Sequence, residues 1–171
     1  TGAGEAVYPL SQHIGTPAVP VVSVGDRVRA GQKLAEAGGF VSAPIYSAFS
    51  GTVRALEPRT AAGGETVPCI VLETDAETEW IDPRFDPATS DVFNASSVAA
   101  YMASGAPEHL TAEDIRAVVR EAGVVGLGGA GFPTSVKLTP KNPDAIDRLI
   151  VNGAECEPYL TSDHRLMLER G

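Results

Sequence analysis

Glycines 126, 128, 129 and 131, followed by Pro133 and Lys137 and, after a spacer, by Asn152, Glu155 and Glu157, form the densest set of chemistry-bearing residues in the chain. The stretch reads Val-Val-Gly-Leu-Gly-Gly-Ala-Gly-Phe-Pro-Thr-Ser-Val-Lys-Leu from Val124, then Leu-Ile-Val-Asn-Gly-Ala-Glu-Cys-Glu-Pro from Leu149. Without a Cβ, glycine admits positive φ and lets backbone approach a ligand closely. Exposed N–H groups in such a loop, feeding a helix start, make an anion site. A phosphate-bearing cofactor is the first expectation. Gly126, Gly128 and Gly131 also match the dinucleotide pattern G-x-G-x-x-G, but that pattern requires a strand directly before it. Here a helix precedes, separated only by Val124 and Val125, so a Rossmann start does not fit. No Gly-Lys-Ser/Thr closes the loop, which excludes a P-loop.

The elements that position these residues follow from local signals. Thr111 with Asp114 three residues on forms a capping-box pattern. Ile115, Val118, Val119 and Ala122 share one helical face, and Gly123 suits the left-handed C-terminal position. Pro133 suits a helix start, predicting a short helix over 134–138 that Pro140 and Pro143 end. Residues 147–152 read as a buried strand, 159–169 as a helix capped by Thr161 or Ser162, and 96–104 as a short helix with Val98, Tyr101 and Met102 on one face.

Composition narrows the classes. With 171 residues, 43% apolar and 20% charged, the chain has enough apolar material for one domain or two small ones. A formal charge of −9 argues against nucleic-acid binding. No apolar run is long enough to span a bilayer. The two cysteines, Cys69 and Cys156, cannot by themselves hold zinc or an iron–sulfur cluster, and they read as reduced thiols. Cys156, between two acids, is a poor nucleophile. No catalytic residue and no metal ligand is assigned, and His13 reads as a structural hydrogen-bonder. Thr1 stands where Met would begin a chain, which reads as a piece of something longer.

The first part has a different texture. After a proline- and glycine-bearing stretch read as extended coil over 1–20, short β-rich runs alternate with turns at Gly25-Asp26, Gly38-Gly39, Ser50-Gly51 and Gly63-Gly64. Gly63-Gly64 marks a hairpin. Val24-Gly-Asp-Arg-Val-Arg-Ala-Gly-Gln and Ser42-Ala-Pro-Ile-Tyr-Ser-Ala-Phe-Ser-Gly-Thr-Val resemble the two signature segments of biotinyl and lipoyl carrier domains, whose fold is a barrel-sandwich hybrid. The carrier lysine is missing: Ala37-Gly38-Gly39-Phe40 occupies its hairpin, and Lys33 lies elsewhere. The expected organisation is an all-β barrel-sandwich domain over 1–75, an acidic, proline-bearing linker over 76–95 in which Trp80, Ile81 and Phe85 pin the segment to a neighbour, and the start of an α/β domain over 96–171.

The glycine loop and the Asn-Gly-Ala-Glu-Cys-Glu-Pro-Tyr-Leu-Thr-x-Asp-His-Arg-Leu-Met-Leu-Glu run together resemble the RnfC subunit of the Rnf electron-transport complex and, more distantly, the flavin subunit of respiratory complex I. The resemblance covers residues 8–75 and 111–170. It implies an α/β domain binding FMN and NAD(H), with FMN over Gly126, Gly128, Gly129 and Gly131. It implies Lys137 as a fixed positive charge, Asn152 as a hydrogen-bonding partner of the flavin, Phe132 as an aromatic wall for the nucleotide, and Glu155 and Glu157 as acids at the nucleotide pocket. Position 154 departs from complex I, where a carboxylate stands in place of Ala154.

The implied activity is electron transfer between ferredoxin and NAD coupled to ion movement, in a peripheral subunit on the cytoplasmic face of the membrane. Its partners would be the other Rnf subunits, and its iron–sulfur clusters would lie outside these residues. Three alternatives stand beside it. The piece could be chiefly a docking module of that complex, it could belong to a related cobalamin-reductase-type flavoprotein, or the glycines could serve only a tight connection with Lys137, Glu155 and Glu157 in solvent. The expectation for the 171 residues alone is weak FMN binding or none.

Overall fold

The structure, a computed structural model, describes residues 4–81, 110–127, 131–148, 150, 152–153 and 159–170. Gly128, Gly129, Glu155 and Glu157 lie outside the described residues, as do Phe85, Cys156 and the helix expected over 96–104.

The first part is built from seven strands: β1 (Glu5–Pro9), β2 (Val19–Pro20), β3 (Arg27–Val28), β4 (Lys33–Glu36), β5 (Ile45–Tyr46), β6 (Gly51–Thr60) and β7 (Thr66–Thr74). One sheet has the order β1-β7-β6-β3 and the other β2-β4-β5, with antiparallel pairing throughout. Alternation along the strands sends one set of side chains inward. Tyr8, Val28, Val53, Ile70 and Leu72 from the first sheet meet Leu34, Ala35 and Ile45 from the second in one core. Val28, Leu34, Ile70 and Leu72 are completely buried. Burying a side chain of this size stabilises by about 1.5–3 kcal/mol, so these four carry much of the module.

Particular turns match their sequence signals. Gly64, at φ 83°, reverses the chain between β6 and β7. At the Val-Gly-Asp turn, Ser23 N–H donates to Asp26 Oδ2 at 2.8 Å and Gly25 N–H reaches Val53 O at 2.8 Å. The coil expected over 1–20 is corrected in part, because Glu5–Pro9 forms an edge strand on β7. Ala6, Tyr8 and Leu10 turn inward there while Val7 stays exposed, an alternation too short to register beside Pro9. An edge position tolerates that proline. Residues 79–81 continue along the same module: Ala30 N–H donates to Glu79 O and Ile81 N–H to Ala30 O, each at 2.9 Å.

The second part holds α1 (Ala112–Glu121), α2 (Thr134–Lys137), a 3-10 turn (Pro143–Ala145) and α3 (Ser162–Arg170). Thr111 caps α1 in a full capping box with Asp114. The strand expected over 147–152 is not formed by its described residues, and Ile150 is 87% exposed. A strand needs a neighbour for its N–H and C=O groups. Among the described residues no strand lies beside it.

Candidate functional site

The described residues at the two ends of the glycine loop form a defined neck. Just past the end of α1 comes Gly123, whose φ of 66° is the left-handed turn a β-carbon disfavours. Beyond it, Val125 and Pro133 form an antiparallel bridge. Gly126 N–H donates to Phe132 O at 2.9 Å and Thr134 N–H to Val124 O at 3.0 Å. These bonds pinch the chain at both ends of 126–132 and deliver it into α2. Gly126 therefore closes the loop with its own N–H. By contrast, the N–H groups of Leu127 and Gly131 have no protein acceptor among the described residues.

Lys137, at the end of α2, returns toward the loop. Its Nζ lies 5.8 Å from the centroid of the Phe132 ring, within cation–π range. Four of the candidate residues, Gly126, Gly131, Phe132 and Lys137, thus share one loop-and-helix unit. Asn152 lies in coil further along the chain and makes an interaction of its own. Next to it, a Cβ at Gly153 would stand 2.9 Å from Met167 Cε, so α3 packs against this segment. Among the described residues there is no group of three or more His, Cys, Asp or Glu side chains placed to hold a metal.

The loop also leans on the β module. A Cβ at Gly123 would stand 2.9 Å from Pro44 O, and one at Gly131 would stand 3.0 Å from Gln12 O. Both glycines permit backbone-to-backbone approach. Beside Gly123, the Glu121 carboxylate pairs with Lys33 Nζ, and the Tyr46 hydroxyl donates to Glu121 O. Lys33 Nζ lies 5.9 Å from the Tyr46 ring centroid and 3.8 Å from Glu36 Oε1. The hydrogen bond from Lys33 holds the Glu121 carboxyl below its usual range, and the same bond raises Lys33. Tyr46 is raised chiefly by burial and also by the Glu121 charge. Nothing in the sequence singled out this trio, because Lys33 and Tyr46 precede Glu121 by 88 and 75 residues.

Two family matches cover the two parts. Residues 2–77 match the RnfC barrel sandwich hybrid domain, and residues 119–171 match the Nuo51 FMN-binding domain. Over 161 residues the chain is 43% identical to the C subunit of the Na(+)-translocating ferredoxin:NAD(+) oxidoreductase complex of Acetobacterium woodii, covering 94% of this chain and 32% of that protein. The chain carries an RnfC-type barrel-sandwich domain followed by a region of the Nuo51 FMN-binding type.

Other RnfC relatives agree. The C subunit of the proton-translocating ferredoxin:NAD(+) oxidoreductase complex of Clostridium ljungdahlii is 40% identical over 161 residues, 94% of this chain and 32% of that protein. The C subunit of the ion-translocating oxidoreductase complex of Pseudomonas aeruginosa is 43% identical over 166 residues, 96% of this chain and 19% of that protein. The chain thus spans about a third or less of the length of these RnfC proteins. The barrel-sandwich fold and the flavin-domain match agree with the sequence expectation, and no lysine occupies the hairpin used by carriers.

Proposed function

We propose that the chain is the flavin-seating region of an RnfC-type subunit, with the 126–132 loop as the cradle for FMN. The observation that carries this reading is the loop's closed neck, with the N–H groups of Leu127 and Gly131 lacking a protein acceptor among the described residues and the Lys137 cation beside Phe132. Open N–H donors and one fixed positive charge suit a phosphate. Bound there, FMN would supply the redox chemistry, linking two-electron exchange with a nicotinamide to one-electron carriers.

The residues' part is to bind and orient. Gly126 closes the neck and Gly131 presents backbone. Gly128 and Gly129 belong to the FMN site in this reading, Phe132 walls it, and Lys137 neutralises charge. Asn152 contributes a hydrogen-bonding side chain, and Glu155 and Glu157 border the nucleotide pocket. NAD(H), the iron–sulfur clusters of the intact subunit, the other subunits of the complex and a place on the cytoplasmic face of the membrane belong to the same proposal. Support for a peripheral arrangement is that no helix among the described residues is long and apolar enough to cross a membrane.

The test is FMN affinity in the intact subunit. Lys137→Ala removes a charge-assisted contact, for which the expected loss of affinity is about tenfold or more. Lys137→Arg keeps the charge and retains most of the binding. Equal FMN stoichiometry and dissociation constant in wild type and Lys137→Ala would sink the assignment.

A further inference from the structure

We propose that the barrel-sandwich module is the seat of the glycine loop, and that His13 is the positioning residue that sets the distance between the loop's two feet. The functional consequence rests on the reading that this loop holds FMN.

The loop stands on the module at two places. One foot is Gly123, against Pro44 O and the Tyr46 ring. The other is Gly131, where a Cβ would meet Gln12 O at 3.0 Å and His13 Cα at 3.4 Å. The two supporting segments, 12–14 and 43–44, lie outside the strands, so no sheet ladder fixes their separation at this point. The His13 side chain joins them. Its Nε2 accepts the Ala43 N–H at 3.1 Å, and its Nδ1 lies 3.1 Å from Ile14 O. With Nε2 accepting, the ring is neutral and carries its proton on Nδ1, which donates to Ile14 O. The residue is only 8% exposed, and both ring nitrogens are committed.

Close packing does not do this job instead. A cleft of about 260 Å³ opens between the feet, lined by Tyr8, Gln12, His13, Pro44, Tyr46 and Val125. Across a cleft, spacing depends on the few bonds that bridge it. Further along, Thr16 N–H to Val41 O at 2.9 Å ties the same two stretches, leaving His13 as the tie nearest the feet. On the Gly123 side, the Tyr46 hydroxyl holds Glu121 O and so fixes the last turn of α1. If the feet drift apart, the strain falls on the neck, where Gly126 is bonded to Phe132 and Thr134 to Val124.

Hydrogen exchange in the intact subunit, measured without FMN, reads the neck directly. His13→Leu is expected to speed exchange at the Gly126 and Thr134 amides by about fivefold to tenfold, what one intramolecular hydrogen bond is worth. The amides of Val53 and Leu72 in the core keep their wild-type rates. His13→Gln, which retains an acceptor for Ala43 N–H, restores the neck. FMN affinity and the flavin midpoint potential shift with His13→Leu and recover with His13→Gln.

Wild-type exchange at Gly126 and Thr134 in folded His13→Leu overturns the proposal. If that variant does not fold, Tyr46→Phe decides at the other foot: faster exchange at the Gly123 amide supports the seat, and an unchanged rate overturns it. Should wild type bind no FMN while His13→Leu still frees the neck, the flavin reading fails and the seat stands.

Discussion

At the seam between the two parts, the Glu121 carboxylate faces Lys33 and accepts a long contact from Tyr46 at 3.5 Å. The Glu121 side chain is 70% exposed, so solvent screens the pair and its worth is that of a surface ion pair. The signs follow from the shifts. Glu121 is lowered in the folded chain, so its contribution is present above the ordinary glutamate range and is lost as pH falls through its lowered value. Lys33 is raised, so its contribution is complete below the ordinary lysine value and disappears as pH climbs through the raised one. At neutral pH both are in force. Glu121→Gln is therefore expected to cost about 0.2–1 kcal/mol near neutrality, less in high salt, and nothing in acid. Thermal melts of variant against wild type, taken from neutral pH down through the carboxylate range, check this. A difference that persists after acidification would show that the Glu121 charge is not the cause.

Among the elements, α1 depends most on its own ends. None of its residues is buried, so its stability rests on its cap and on the seam rather than on a core. Thr111 Oγ1 accepts the Asp114 N–H at 3.1 Å, and Asp114 Oδ2 accepts the Thr111 N–H at 2.9 Å. Hydrogen bonding from Thr111 lowers the Asp114 carboxyl, keeping it charged at the positive end of the helix. Thr111→Ala is expected to destabilise this helix by about 0.5–2 kcal/mol. The loss should appear as faster amide exchange within Ala112–Glu121, with the β6–β7 hairpin unaffected. Equal loss of protection in both would mean that α1 and the barrel unfold as one unit. Because α1 delivers the chain to Gly123, the cap also bears on how steadily the loop's first foot is held.

For the molecule as a whole, the two parts differ in completeness. The β module closes around a core of its own, with Leu34, Ile70 and Leu72 fully buried. In the second part, Ile115, Val118, Ile150, Leu166 and Leu168 are all exposed. Apolar residues left in water on several elements signal unmade packing. Together with a length of about a third or less of the RnfC relatives, this predicts that the 171 residues alone hold FMN less firmly than the intact subunit does. Equilibrium dialysis of the two proteins side by side is the measurement. Tight stoichiometric binding by the 171 residues would show that the loop and its seat suffice.

Features specified by neighbouring residues were legible in the sequence. The hairpin at Gly63-Gly64, the Val-Gly-Asp turn, the Thr111–Asp114 cap, the helix stop at Gly123 and the start of α2 after Pro133 all depend on contacts within a few positions. The fold of the first part and the flavin-domain character of the second were legible through family motifs. Features that depend on distant partners were not. The strand expected over 147–152 has no described neighbour to pair with, and the edge strand Glu5–Pro9 exists because β7 offers it a ladder. His13 is legible as a hydrogen-bonder, but its partner at Ala43 lies 30 residues away. Lys33 stands out in the sequence only as a misplaced carrier lysine, yet tertiary structure brings it to Glu121. The sequence alone determined which turns the chain can make. Only the tertiary structure decided what the glycine loop stands on, because the contacts at its feet join residues that local propensity never brings together.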